Sequence, residues 1–271
     1  LAAVIARVSG EAYEDFIAER FFAAAGMADS YVRPALLKDW PGPRALGYKV
    51  RPSGTTLFDV FDNEGFHGSC NINFSARDIA RWASLWATGA AEIEPLRRIS
   101  GVGAAIGDKT SGLTLGNWFC NGSRDECYFT GHHQGFHAFG YWNARTRAAI
   151  GFISNNTLTA PLQPALARAL VAVAHGEPPE KLTFDVALED AQADLSAVAG
   201  VYRTDAAGDF SIVVEDGEAF LETKDAPRMQ LFPIGFNGLY APGVDAYLFH
   251  DPKSGALIWS TTFFEETAVR R

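Results

Sequence analysis

The residues best suited to chemistry lie together in Gly131-His132-His133-Gln134-Gly135-Phe136-His137-Ala138-Phe139, where three of the six histidines fall within six positions. Imidazole changes charge near neutral pH, so such a cluster suits acid/base work or the holding of an oxyanion. The runs 126–130 and 139–142 on either side read as strands, which places the cluster at the lip of a sheet. A polar turn with hydrogen-bonded histidines has the same composition, so the cluster gains meaning only from its surroundings. No serine or cysteine sits in a recognisable nucleophile motif, and Ser-x-x-Lys does not occur in the 271 residues. The sequence reads as half of a covalent active site.

No Cys-x-x-Cys spacing occurs, and neither zinc nor any other metal or cofactor is expected. Asp59, Asp62 and Glu64 read as an acidic loop rather than a cation site. His67, His175 and His250 read as surface residues. Hydrophobic content of 48% and aromatic content of 13% exclude disorder and imply a sizeable core. A net charge of -9 argues against nucleic acid as a partner, because phosphate binding needs concentrated Lys and Arg. No apolar run approaches the roughly 20 residues of a membrane-spanning helix. Cys120 and Cys127 flank a short polar segment with aromatic pairs outside it, a hairpin pattern that sets the two sulfurs opposite one another. A disulfide there implies a periplasmic or secreted protein, whereas two thiols imply a cytoplasmic one.

The elements that position the cluster follow from periodicity. Residues 1–26 have a helical pattern broken at Ser9-Gly10, with Val4, Ile5 and Val8 as one apolar stripe and Tyr13, Phe16, Ile17 and Phe21 as another. Ser75 suits a helix N-cap, and Asp78 three residues later completes a capping-box pattern. Ile79, Trp82, Ala83 and Trp86 form that helix's apolar face. Short β runs occupy 113–154, and a helix over 161–175 closes the unit. The strand 149–154 is nearly continuous in apolar residues, as expected of a central strand rather than an edge. A polar linker over 179–198 precedes short β segments at 200–202, 210–214, 219–223, 229–233, 247–249 and 257–259, the spacing of a small antiparallel barrel.

Several stretches, taken in order, resemble the serine β-lactamase and penicillin-binding-protein superfamily, in its class C-like branch of esterases, D-amino-acid peptidases and related hydrolases. Leu1-Ala-Ala-Val-Ile-Ala-Arg-Val-Ser-Gly with Ala24-Ala-Gly-Met is similar to the helix pair that follows the family's Tyr-x-Asn motif. Gly68-Ser-Cys-Asn-Ile-Asn-Phe-Ser-Ala-Arg-Asp resembles its next helix start. Residues 131–139 resemble its third motif, Gly-His-Thr-Gly-Gly-x-Pro-Gly-Phe. The resemblance implies an α+β fold over 1–178, the C-terminal part of the β-lactamase-like α/β sandwich, followed after the linker by a lipocalin-like antiparallel β-barrel over 199–271.

That resemblance also implies roles. His132 takes the place of the motif's Lys or His, and the Gly135 N–H becomes an oxyanion donor. His133, Gln134, Phe136 and His137 border the acyl site, with His132 and Gln134 on one face of the strand and His133 on the other. A one-residue shift instead moves the donor to Phe136. Gln134 and Ala138 replace glycines of the pattern, which narrows the site. Tyr141-Trp142-Asn143 fits Tyr-x-Asn only formally, because it follows the third motif. The implied activity is serine-dependent acyl transfer on an ester, β-lactam or D-peptide amide. The nucleophile would come from an N-terminal segment absent here, so this chain alone is expected to be inactive. That segment, or another copy, is expected to pair with the sheet edge. The competing reading is a non-catalytic binding or scaffold module.

Overall fold

The structure, a computed structural model, describes residues 1–34, 39–40, 44–51, 53–59, 68–100, 112–113, 118–121, 123–157, 159–182, 191–224 and 227–271. Asp62, Glu64, His67 and linker residues 183–190 lie outside the described residues. In chain order the elements are α1 (Ala2–Ser9), α2 (Tyr13–Ile17), β1 (Tyr31–Val32), β2 (Tyr48–Arg51), β3 (Gly54–Leu57), β4 (Ile72–Asn73), α3 (Ala76–Thr88) and α4 (Glu94–Ser100). There follow β5 (Gly112–Leu113), β6 (Phe119–Cys120), β7 (Glu126–His133), β8 (Phe136–Asn143), β9 (Ala148–Ser154), α5 (Thr159–Ala174) and α6 (Leu195–Val198). The last eight strands are β10 (Gly200–Thr204), β11 (Gly208–Glu215), β12 (Glu218–Thr223), β13 (Met229–Gly235), β14 (Gly238–Ala241), β15 (Ala246–His250), β16 (Leu257–Ser260) and β17 (Glu265–Arg270). Two compact units result: Leu1–Lys49, Thr55–Arg97 and Thr130–Thr157 form one, and Val50–Gly54, Arg98–Phe129 and Leu158–Arg271 the other.

In the first unit, Gly10 ends α1 in the left-handed conformation expected of a helix-terminating glycine. α2 continues through a wider π-helical turn, Ala18–Ala23. Tyr13, Phe22 and Ala25 pack with Ala2, Met27 and Val32. The expected α1 stripe is not the buried face: Val4 and Val8 are exposed while Ala2 is buried. Gly68 approaches so closely that a side chain there would meet the Ala2 Cβ, and only the small face of the helix fits against it.

α3 is the support on which the sheet rests. The Ser75 hydroxyl accepts from the Asp78 N–H at 3.1 Å, the expected N-cap. Asp78 does not reach back to complete a capping box. Its carboxylate accepts from the Asp29 N–H at 2.9 Å and the Ser30 hydroxyl at 2.6 Å, tying the helix to the chain entering β1. Ile79, Ala83 and Trp86 are buried, and Trp86 stacks on Trp142 of β8 at 6.0 Å between centroids. β8 and β9 pair antiparallel from Asn143↔Ala148 to His137↔Ser154. Beyond β9, the Tyr48 N–H donates to the Asn155 carbonyl and the Thr157 N–H to the Tyr48 carbonyl, a single parallel bridge from a segment of the same chain just past the strand's end.

In the second unit β5, β6 and the start of β7 form an antiparallel ladder, in which Cys120 faces Cys127 and a disulfide joins them. β10 to β17 close into an eight-stranded antiparallel barrel. At eight strands the lumen is just wide enough for side chains to fill, and Tyr202, Phe210, Ile212, Leu221, Leu239 and Trp259 fill it. The apolar runs mark six of these strands. β14 and β17 carry no such run, because β14 begins at an Asn-Gly turn and β17 buries only Ala268. Arg168 of α5 donates to the Ser260 hydroxyl and the Thr261 carbonyl and pairs with Glu180 and Glu265, fastening that helix to the β16–β17 turn.

Gly151 carries the contact between α3 and β9. A Cβ there would lie 2.4 Å from the Ala80 nitrogen and 2.5 Å from the Ala76 carbonyl oxygen, both backbone atoms that cannot rotate away. We expect Gly151→Ala to destabilise the protein by about 2 kcal/mol, the scale of an overpacked core. Chemical denaturation of the two proteins measures this, and a change within about 0.5 kcal/mol, the range of an ordinary surface substitution, would contradict it.

Candidate functional site

The histidine cluster occupies the β7–β8 hairpin, whose two-residue connection is Gln134-Gly135. Gln134 holds a φ of 42°, a region that side chains adopt at a cost. It therefore sits in the turn rather than on the strand, and the strand alternation that would pair it with His132 stops at His133. Gly135 is required by close approach. A Cβ on it would lie 2.3 Å from the Phe58 carbonyl oxygen and 2.4 Å from the Tyr48 nitrogen. Its N–H donates to the Phe58 carbonyl at 2.9 Å, and the Phe58 N–H donates to Gly47 at 2.9 Å. The group expected as an oxyanion donor is thus engaged within the chain. So is the alternative donor of the shifted register, since the Phe136 N–H donates to the Gln134 carbonyl at 2.8 Å. The Phe136 ring lies against Gly47, with no room for a side chain between them.

The structure brings His132 and His137 together. Their rings stack 4.4 Å apart and nearly parallel. His137 is 1% exposed, and its Nε2 lies 3.2 Å from the Thr130 hydroxyl. Its Nδ1 is buried without a hydrogen-bond partner. Burial, and then His132 beside it, push the His137 pKa well below its ordinary value. Lost hydration also pushes His132 down, to about 4. Two stacked imidazoles cannot both carry a proton cheaply. The pair is neutral at pH 7, able to accept or relay a proton but not to supply a fixed positive charge.

His133 lies within electrostatic reach of a second group that the sequence did not indicate. Its pKa is lowered by burial and by Arg33. Arg33 follows β1, its N–H bonded to the Asn71 carbonyl, and its guanidinium carbon lies 5.2 Å from the centre of the Trp40 ring. Arg44 lies 4.2 Å from the same ring and pairs with buried Asp59 at 2.8 Å. Asp59, expected in an acidic loop, is therefore half of an ion pair. The signal was missed because residues 27–53 are rich in Pro and Gly and have no period from which to place side chains. Tyr141 and Asn143 belong to the buried face of β8, and Asn143 caps the following turn by accepting from the Arg145 and Thr146 N–H groups. Among the described residues no group of His, Cys, Asp and Glu is arranged to hold a metal ion.

The family profile described as Beta-lactamase matches residues 1–175, most of the chain and all of the hairpin. The chain belongs to the β-lactamase family. Among solved structures it is similar to the octameric penicillin-binding protein homologue from Pyrococcus abyssi, with a TM-score of 0.51 and 16% identity over 99% of this chain and 62% of that one. It is also similar to SurE, with a TM-score of 0.53 and 15% identity over 100% of this chain and 65% of that one. At such identities the likeness is one of fold. The chain spans less than two thirds of the length of either protein. No match was found among curated protein sequences. Within this β-lactamase family member, residues 131–139 carry a neutral histidine pair and a turn whose N–H groups face the protein's own carbonyls.

The histidine pair makes stability depend on pH. Both folded-state pKa values lie below the ordinary 6.5, so the unfolded chain binds more protons in the acid range. The stabilisation is present above about pH 6.5 and lost as pH falls below it, with a slope of up to about 1.4 kcal/mol per pH unit for buried His137 and a smaller one for His132, whose outer edge solvent screens. We expect His137→Phe, which keeps a ring in the stack, to flatten that slope. Urea unfolding at pH 7.5, 6.0 and 5.0 tests this, and identical slopes for the two proteins would refute it.

Proposed function

We propose that this chain contributes the third-motif strand of a serine hydrolase acting by acyl transfer on an ester, β-lactam or D-peptide amide, in the class C-like branch of the family. The nucleophile comes from a Ser-x-x-Lys segment that the 271 residues do not contain. The observation that carries the reading is the family match through residue 175; it is supported by His132, which the resemblance sets at the motif's Lys or His position. A neutral imidazole there serves as proton acceptor or relay for the attacking hydroxyl. The Cys120–Cys127 disulfide supports placement of the protein in the periplasm or outside the cell. The barrel is proposed to be the lipocalin-like domain appended to such hydrolases.

One observation favours the second reading, a binding or scaffold module without catalysis. Both N–H groups proposed as oxyanion donors are bonded to carbonyls of the same chain, and an oxyanion hole needs donors free to point at the developing charge. If the hydrolase reading holds, the Gly47–Phe58 segment moves when the nucleophile-bearing segment is present.

We expect the 271-residue chain alone not to hydrolyse nitrocefin or p-nitrophenyl esters above background. A polypeptide that also carries Ser-x-x-Lys and Tyr-x-Asn upstream is expected to be labelled by a fluorescent penicillin or a fluorophosphonate. In that longer protein His132→Ala should lower kcat about 10²-fold, the scale of one acid/base group. Absence of labelling in the longer protein would establish the non-catalytic reading, and turnover by this chain alone would contradict both.

A further inference from the structure

Arg33 is 5% exposed, and its Nη2 is shut off from solvent with no hydrogen-bond partner. The groups that favour its charge are Cys70, Tyr31 and Asp59, while Arg44 opposes it. Of these only Asp59 is of a residue type ionised at neutral pH, and its carboxylate is bonded to Arg44 at 2.8 Å. Among the described residues, two guanidinium groups thus have one carboxylate and one indole ring beside them. An unpaired charge out of water is costly to keep, and a cation–π contact offsets only part of that cost. His133 from β7 lies near enough to feel the excess positive charge. In a chain of net charge -9, a buried spot where, among the described residues, cations outnumber carboxylates stands out.

We propose that Arg33, with Trp40 and His133 beside it, binds the carboxylate group of a small ligand. A guanidinium presents two parallel N–H groups to a carboxylate, and the unpartnered Nη2 supplies one of them. Trp40 is half-buried and offers a ring surface against which the body of the ligand rests; His133, also half-buried, lies close enough to report on the charge there. The indole N–H is not available, because it donates to the Pro34 carbonyl at 2.9 Å. The binding requires no acyl transfer, so it stands or falls independently of whether the chain takes part in hydrolysis.

The experiment uses the whole chain with benzoate, benzamide and inorganic phosphate as probes, followed by calorimetry and by NMR of the histidine rings. Benzoate should bind saturably and raise the His133 pKa, since an anion replaces a repulsive neighbour with an attractive one. Benzamide should not bind. Arg33→Met should weaken benzoate about tenfold or more while leaving the thermal midpoint unchanged or raised, because an uncompensated buried charge has been removed. If Arg33→Met does not fold, Arg33→Lys keeps the charge but loses the planar fork and should still weaken benzoate several-fold. Equal binding of benzoate and benzamide, tighter binding of phosphate than of benzoate, or benzoate binding indifferent to Arg33 would each overturn the proposal.

Discussion

The candidate site depends on one close approach, the point where the β7–β8 turn meets the backbone of residues 47–48 and the carbonyl of Phe58 at Gly135. Only hydrogen fits at that Cα. The approach lets the Gly135 N–H reach Phe58 and holds the Phe136 ring on Gly47. The same segment carries Asp59, and through its ion pair with Arg44 it closes the charged group around Trp40. A turn glycine that a motif would assign to catalysis is therefore also the residue that lets two stretches of backbone touch. The two roles compete for one N–H, and that competition separates the hydrolase reading from the binding-module reading.

Electrostatics in this acidic protein is organised by burial more than by pairing. His132 and His137 are kept neutral by loss of hydration, Arg33 is kept charged without a carboxylate of its own, and Asp245 is fully buried in the second unit. Asp245 accepts from the Tyr240 hydroxyl at 2.8 Å, and burial pushes its pKa up to about 6. Its sign is opposite to that of the histidines. A raised folded-state value means the folded form binds the proton more readily, so its contribution is present in acid and lost as pH rises through about 6. The two units thus respond in opposite directions below pH 6.5, and the measured stability is the sum of both responses.

The sequence by itself determined what periodicity and chemical type can carry: the broken helix pair, the α3 N-cap at Ser75, the facing cysteines, six of the eight barrel strands and the order of segments that marks the family. These are local signals, set by spacing of 2 and 3.6 residues and by turn chemistry. Only the tertiary structure decided where the polar groups go. Asp78 looked like a capping-box acid yet accepts from Asp29 and Ser30, 49 and 48 residues away along the chain. Gly135 looked like a donor to substrate yet donates to Phe58, and Arg33, in a stretch with no period, lies near enough to His133 of β7 to lower its pKa. Hydrogen bonds and charges are satisfied by whatever the fold brings within about 3 Å, and residue spacing along one strand or helix carries no record of a partner that lies a hundred residues away.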